Sequence, residues 1–198
     1  RRRVAYYNLT RRIDVRLGDG LSVIEPGEVH TVVVAGMGGS LIVDILQRGL
    51  HVLKETERIV LQPNVSSGKL RRWMLENGWE LIDEQLVLEN GHYYDILVAE
   101  HGDPHRPYGS AIGEEGRELL AEIGPLLWKR RHPLLRAKWE QEIAKWEKVL
   151  RQLPPRHANL DEKRRTMERK INKWREMMAC LPKGKISSVS SNRSSRPI

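Results

Sequence analysis

Three short runs hold residue types suited to gripping a small polar ligand. Ala35-Gly36-Met37-Gly38-Gly39 is glycine-rich, and glycines let a backbone come close to a ligand and offer free N–H groups. The run lacks the G-x-G-x-x-G spacing, and any sharp strand-to-helix turn uses glycine too, so both readings stand. Gly18-Asp19-Gly20 could present a carboxylate to a nucleoside amine or hydroxyl; Asp19 could equally N-cap a short helix through Ile24. Gln62-Pro63-Asn64 places two amides together, which can read a purine edge but are also ordinary turn residues. His101 and His105 flank Asp103, yet Gly102 and Pro104 preclude a helix that would align both imidazoles, so a surface loop and no metal site are expected. No Ser/His/Asp or Cys/His set has the order or context of a nucleophilic centre.

The elements around these runs follow from periodicity. Ile13-Asp14-Val15-Arg16-Leu17 alternates apolar and polar residues and stops at Gly18, which predicts a strand. Thr31-Val32-Val33-Val34-Ala35 is almost wholly apolar, as a parallel strand covered on both faces must be. Ser40 then reads as the N-cap of a helix carrying Leu41, Ile42, Ile45 and Leu46. Arg58 to Gln62 predicts the next strand, and Gly68 to Asn77 a short helix closed by Gly78. This β-loop-α rhythm is the mark of an α/β fold with a doubly wound sheet. Trp79 to Leu88 and Tyr93 to Glu100 follow as a hairpin turning at Asn90-Gly91. A loop over Pro104 to Gly113 leads to a short helix near Glu114 to Ile123.

The C-terminal part has a different period. Leu135, Trp139, Ile143, Trp146, Leu150 and Leu153 form a narrow heptad-like seam, and Leu160, Met167, Ile171, Trp174, Met178 and Leu181 repeat it beyond Pro154-Pro155. Two such helices around a short turn predict an antiparallel coiled-coil hairpin. The tryptophans lie on the seam and are expected to pack there. Lys183 to Ile198, serine-rich and aperiodic, predicts a disordered tail. The expected division is 1–110, 111–182 and 183–198.

Charge divides along the same line. Residues 1–124 hold 14 basic and 19 acidic residues, whereas 125–198 hold 20 basic and 7 acidic. A body of net −5 joined to an end of net +13 has a field that draws a polyanion to that end, RNA first and DNA next. Off the seam, Lys138, Lys145, Lys148, Arg164, Arg165, Lys170 and Lys173 are the candidate phosphate contacts; a solvated, salt-bridged helix pair is the plainer reading of the same charges. The composition, 39% hydrophobic and 30% charged over 198 residues, is that of a globular chain. No apolar run is long enough to span a bilayer. A single cysteine, Cys180, fits a reducing cytoplasm.

Val33 to Ile42 with Ile45-Leu46, Arg16-Leu17-Gly18-Asp19-Gly20-Leu21, Leu61-Gln62-Pro63-Asn64, Asn77-Gly78-Trp79 and Gly124-Pro125 together resemble the TrmK family, over about residues 4 to 180. The family comprises bacterial S-adenosyl-L-methionine-dependent methyltransferases acting on N1 of an adenine in tRNA, built from a Rossmann-like catalytic domain and a helical coiled-coil domain. The resemblance implies that Asp19, Gly20 and Leu21 border the adenine of the cofactor. It implies that Ala35, Gly36, Met37, Gly38 and Gly39 line the meeting point of methyl group and base, with Gln62, Pro63 and Asn64 beyond. The implied cofactor is S-adenosyl-L-methionine, the implied partner is tRNA, and no metal is implied.

The chain departs from the family pattern at its start. The first strand, its glycine-rich loop, and a second strand ending in a ribose-holding acid have no counterpart here, and the chain opens on Arg1. An incomplete sheet is therefore expected, with Ile13 to Leu17 orphaned and Thr31 to Ala35 unpaired along one edge, in a fragment of a longer coding sequence or a truncated gene product. Two competing functions follow. One is a non-catalytic RNA-binding remnant that does not hold cofactor; the other, a nicotinamide oxidoreductase, would carry G-x-G-x-x-G upstream.

Overall fold

The computed structural model describes residues 1–109, 113–153 and 158–181. The elements run α1 (Arg2–Tyr6), β1 (Thr31–Gly38), α2 (Gly39–Arg48), α3 (Leu50–Leu53), β2 (Arg58–Val65), α4 (Ser67–Glu76), β3 (Trp79–Glu89), β4 (His92–His101), α5 (Glu114–Ile123), α6 (Pro125–Lys129), α7 (Leu135–Gln152) and α8 (Ala158–Ala179). They form two compact units: residues 1–85 with 94–126, and residues 86–93 with 127–198.

The first unit is built on a mixed sheet of order β1-β2-β4-β3, with β1 parallel and β4 antiparallel to β2. Helices α2 and α4 bury the apolar sets Ile42, Ile45, Leu46 and Leu70, Trp73, Met74, each at i, i+3, i+4 spacing, which puts three side chains on one face. They pack on each other, and Trp73 Nε1 donates to Gln47 Oε1 at 3.0 Å. The core also takes Val32 and Val34 of β1, Ile59 and Leu61 of β2, Leu97 and Ala99 of β4, and Trp79 and Leu81 of β3. The hairpin turns on Asn90 and Gly91, whose φ values of 50° and 78° are the left-handed pair that a two-residue turn requires.

Three local expectations are corrected. Ile13–Leu17 forms no strand: Leu17 is 98% exposed, and Arg16 instead pairs with Asp14 and Glu28, with no adjacent strand to supply ladder bonds. The hydrogen bond from Arg16, with a second from the Glu25 N–H, lowers the Glu28 carboxyl to about 2. Strand β1 is covered on one face only. Val32 and Val34 point into the core while Val33, on the opposite face, is 66% exposed, the alternation of a strand buried on one side. Finally, the N-cap of α2 is Gly38. Ser40 falls inside the first turn, where its Oγ accepts from Lys69 Nζ at 2.7 Å.

A buried ion network ties the unit together. Arg71 of α4 is fully buried and reaches Glu84 of β3 at 2.5 Å, Asp95 of β4 at 3.3 Å, Ser67 Oγ at 3.2 Å and the Ala121 carbonyl at 3.0 Å. Glu84 Oε2 also accepts from the Leu126 N–H at 2.8 Å. Burial alone would lower the Arg71 guanidinium, but the two carboxylates outweigh it and the net shift is upward. The charge is therefore kept, and each member satisfies another, the condition under which buried ions are tolerated. On the same side Arg72 binds Glu118 and Glu122 of α5.

In the second unit α7 and α8 run antiparallel. Arg136 donates to the Leu181 carbonyl at 3.0 Å, Arg175 pairs with Glu147, and Arg164 donates to the Leu150 and Leu153 carbonyls at 3.4 and 3.1 Å. The seam is buried at Leu135, Trp139, Ile143, Ile171, Trp174, Met178 and Leu181. It opens toward Trp146, Leu150 and Met167. Trp174 packs on Trp139 and Trp146, with ring centroids 4.7 and 5.8 Å away, so these indoles serve packing. Residues 154–157 and 183–198, where the sequence predicts a turn and a tail, lie outside the described residues. No described helix is long and apolar enough to cross a membrane.

Candidate functional site

The glycine run is not a loop beyond β1 but the end of the strand itself. The parallel register pairs Ala35 with Gln62, Met37 with Pro63 and Gly38 with Val65. It steps over Gly36 on one strand and Asn64 on the other, a double irregularity in the ladder. Gly36 takes φ +79°, which a Cβ would make costly. At such a step the backbone must find other hydrogen-bond partners.

Those partners are the two amides. The Gly36 N–H donates to Gln62 Oε1 at 2.9 Å, Gln62 Nε2 donates to Asn64 Oδ1 at 3.3 Å, and Asn64 Nδ2 donates to the Gly36 carbonyl at 2.9 Å. A closed ring of three bonds thus holds the Gly36 peptide against β2. The amide orientations are fixed by chemistry, since a backbone N–H needs an acceptor and a carbonyl a donor. Pro63 between them is buried.

The ring leaves one side open. No atom lies within 4 Å of where a Gly36 Cβ would stand, and Gly36 is exposed with Met37 partly so. Gly39 is the opposite case: a Cβ there would meet the Ser66 carbonyl oxygen at 2.4 Å. That contact sets the start of α2 against the turn leading into α4. The C-terminal ends of two adjacent parallel strands are where ligands bind in open α/β sheets, and here that place presents bare backbone.

The other expected ligand positions lie differently. Asp19 occupies the N-cap position of a 3₁₀ turn, Gly20–Val23, without capping it; its carboxylate pairs with Arg48 of α2 at 2.5 Å. Both side chains are exposed and line a small cavity of about 80 Å³ with Leu21, Ile45 and Gly49. Gly20 lies beside Ile45, while Leu21 is buried in the core. His101 stacks on Trp79, ring centroids 4.0 Å apart, with Nε2 3.1 Å from the Leu53 carbonyl. Among the described residues no group of three His, Cys, Asp or Glu could hold a metal.

The seven basic candidates of the helical unit separate by environment. Lys138 is only 8% exposed, because it lies on the flank of the seam one residue before Trp139, and this removes it as a surface contact. Arg164 is half-buried with its guanidinium on the end of α7, and Lys173 is half-buried. Lys145 is exposed and paired with Glu142 at 2.6 Å. Lys148, Arg165 and Lys170 are exposed. Sequence reasoning did not find the ring as a ring, nor the burial of Arg71. The ring could have been read from two amides flanking a proline opposite a glycine on the neighbouring strand; a surface helix with one buried arginine leaves no such signal.

The chain is similar to several proteins of one family. The TrmK family model, tRNA (adenine(22)-N(1))-methyltransferase, matches residues 1–176. A Bacillus subtilis protein described as tRNA (adenine(22)-N(1))-methyltransferase is 38% identical over 155 residues, 77% of this chain; the match spans 63% of that protein's length. The crystal structure of the B. subtilis m1A22 tRNA methyltransferase TrmK superposes with a TM-score of 0.79 at 33% identity, over 89% of this chain and 75% of that one. Streptococcus pneumoniae Sp1610 in complex with S-adenosyl-L-methionine gives 0.73 at 32% identity, over 89% and 73%.

Proposed function

The chain belongs to the TrmK family, and we propose that it acts in S-adenosyl-L-methionine-dependent methylation of N1 of an adenine in tRNA. The observation that carries this reading is the Gly36 bulge, open on one side and ringed by Gln62 and Asn64 at the carboxyl ends of β1 and β2. Asp19 and Gly20 would border the cofactor's adenine with Leu21 behind them, and Ala35 to Gly39 would line the place where methyl donor and base meet. The open space beside Gly36 suits a flat ligand brought close to backbone. The cofactor supplies, when bound, an electrophilic methyl group on a sulfonium.

The chain's own contribution is positioning. Neutral adenine already carries a lone pair at N1, so no side-chain base is needed to begin the transfer, and orientation with exclusion of water is the main source of rate. A site made of glycine backbone and two neutral amides fits that demand. The outer edge of β1, terminal in the sheet, is where further strands would extend this into a Rossmann-like sheet. Helices α7 and α8 would form a coiled-coil hairpin that holds tRNA through Lys145, Lys148, Arg165 and Lys170.

The test uses two tRNA transcripts differing only in adenine or guanine at the target position, incubated with the protein and S-adenosyl-L-methionine and analysed for N1-methyladenosine by mass spectrometry. Methylation of the adenine transcript alone is expected. Binding of tRNA without methyl transfer, and no heat on titration with cofactor, would mark the chain as an RNA-binding remnant instead.

A further inference from the structure

We infer that Gln62 and Asn64 are positioning residues, which act on the reaction by clamping the Gly36 peptide and not by touching the target base. This rests on the activity proposed above and assigns the two amides a role within it. Among side chains at the ends of β1 and β2 they are the ones suited to reading a purine, and the geometry has already committed them. Each amide engages its oxygen and one N–H inside the ring, which fixes its plane and direction: Gln62 Oε1 on the Gly36 N–H, Gln62 Nε2 on Asn64 Oδ1, and Asn64 Nδ2 on the Gly36 carbonyl.

The ring is directional, so it cannot be turned to face a base without losing bonds. Flipping Gln62 would set an NH₂ against the Gly36 N–H; flipping Asn64 would set an oxygen against the Gly36 carbonyl. The ring also sits where the backbone ladder skips a residue on each strand. It replaces the missing ladder at the point where the chain bends with φ +79°. Without it the Gly36 peptide would be held only by its neighbours, and Met37 and Gly38 beyond it would lose their fixed position ahead of α2. A displacement of this kind near reacting atoms costs up to about 100-fold in rate even when binding is intact.

The clamp and the activity are tested separately. Exchange of the Gly36 amide proton, read by NMR in the 198-residue chain without cofactor or tRNA, should rise about tenfold in Gln62→Ala, the loss expected of one hydrogen bond, and by a smaller factor in Asn64→Ala, which keeps that bond but frees the Gln62 amide that makes it. The Val34 and Ile59 amides should stay at the parent rate. In methyl transfer the same variants should lower kcat by about 10- to 100-fold with tRNA affinity within about twofold of the parent. Asn64→Asp adds a signature of its own. Its carboxylate faces the Gly36 carbonyl as a second acceptor, and only the protonated acid regains a donor, so its kcat relative to the parent should recover as pH falls toward the carboxyl pKa.

An unchanged Gly36 exchange rate overturns the clamp whatever the activity shows. A faster exchange with parent kcat overturns the positioning role. A loss confined to tRNA affinity assigns the amides to the base and overturns the inference as well. Because the exchange measurement needs neither ligand, absence of methyl transfer by the parent chain counts against the proposed activity and not against the clamp.

Discussion

Gly36 and Gly39 stand three positions apart and are glycine for different physical reasons. Gly36 has a left-handed φ and empty space where a Cβ would point; Gly39 has no positive φ, but its Cβ would sit 2.4 Å from the Ser66 carbonyl oxygen. Gly36→Ala therefore pays a conformational cost of about 1–2 kcal/mol. Gly39→Ala must move backbone and should cost about 1–3 kcal/mol. Denaturant midpoints check both, and a Gly39→Ala variant as stable as the parent would mean that the start of α2 shifts freely from the β2–α4 turn. Arg71 poses a larger residue-scale dependence. Its partners Glu84 and Asp95 are buried with it, so Arg71→Leu leaves two carboxylates without their cation. A loss of about 3–5 kcal/mol is expected. A drop under 1 kcal/mol in urea unfolding would show that water reaches those carboxylates.

At the scale of elements, the legible parts were those whose pattern is enforced locally. Asn90-Gly91 dictated the hairpin turn because only residues tolerant of positive φ adopt it, and the i, i+3, i+4 apolar sets of α2 and α4 dictated their buried faces. The seam of α7 and α8 was readable for the same reason. The glycine run and the two amides read from sequence as candidate ligand positions, but not as bonded to each other, since hydrogen bonds across 26 and 28 residues depend on register. Ile13–Leu17 has the alternation of a strand and no strand beside it, and alternation alone cannot provide a partner. Lys138 was misplaced because a lysine stem can lie along an apolar flank. Arg164 is likewise drawn from surface to structure: its guanidinium takes the last carbonyls of α7, where a cation also opposes the helix dipole. Arg164→Ala should lower the thermal stability of the helical unit by about 0.5–1 kcal/mol, seen as an earlier loss of helical circular dichroism. Identical melts would assign the arginine to solvent.

Across the whole molecule, proton and salt dependences follow from where charge is stored. His132 in the helical unit has its pKa lowered, by burial first and by Arg130 second, and its Nδ1 accepts from the Leu134 N–H at 3.3 Å. The folded pKa thus lies below the ordinary 6.5, and the fold prefers neutral imidazole. Its contribution is complete above pH 6.5 and is lost as pH falls through the folded value, because the unfolded chain takes up the proton first. Parent protein should lose melting temperature between pH 7.5 and 5.5 faster than His132→Gln; parallel losses would exclude this histidine. The salt dependence concerns the basic C-terminal part. Of the 20 lysines and arginines after residue 124, several are held in ion pairs, on helix ends or beneath the surface. Lys148, Arg165 and Lys170 are exposed and are among the cations proposed to meet phosphate. Each cation that neutralises a phosphate adds about 0.7 to 0.9 to the slope of log affinity against log salt. Replacing all three by glutamine should therefore weaken tRNA binding at low salt and flatten that slope by about 2 to 3, while the Lys138→Gln slope stays at the parent value. A triple variant with an unchanged slope would move the tRNA footprint off these helices, and a flattened slope in Lys138→Gln would show that burial does not remove a lysine from the interface.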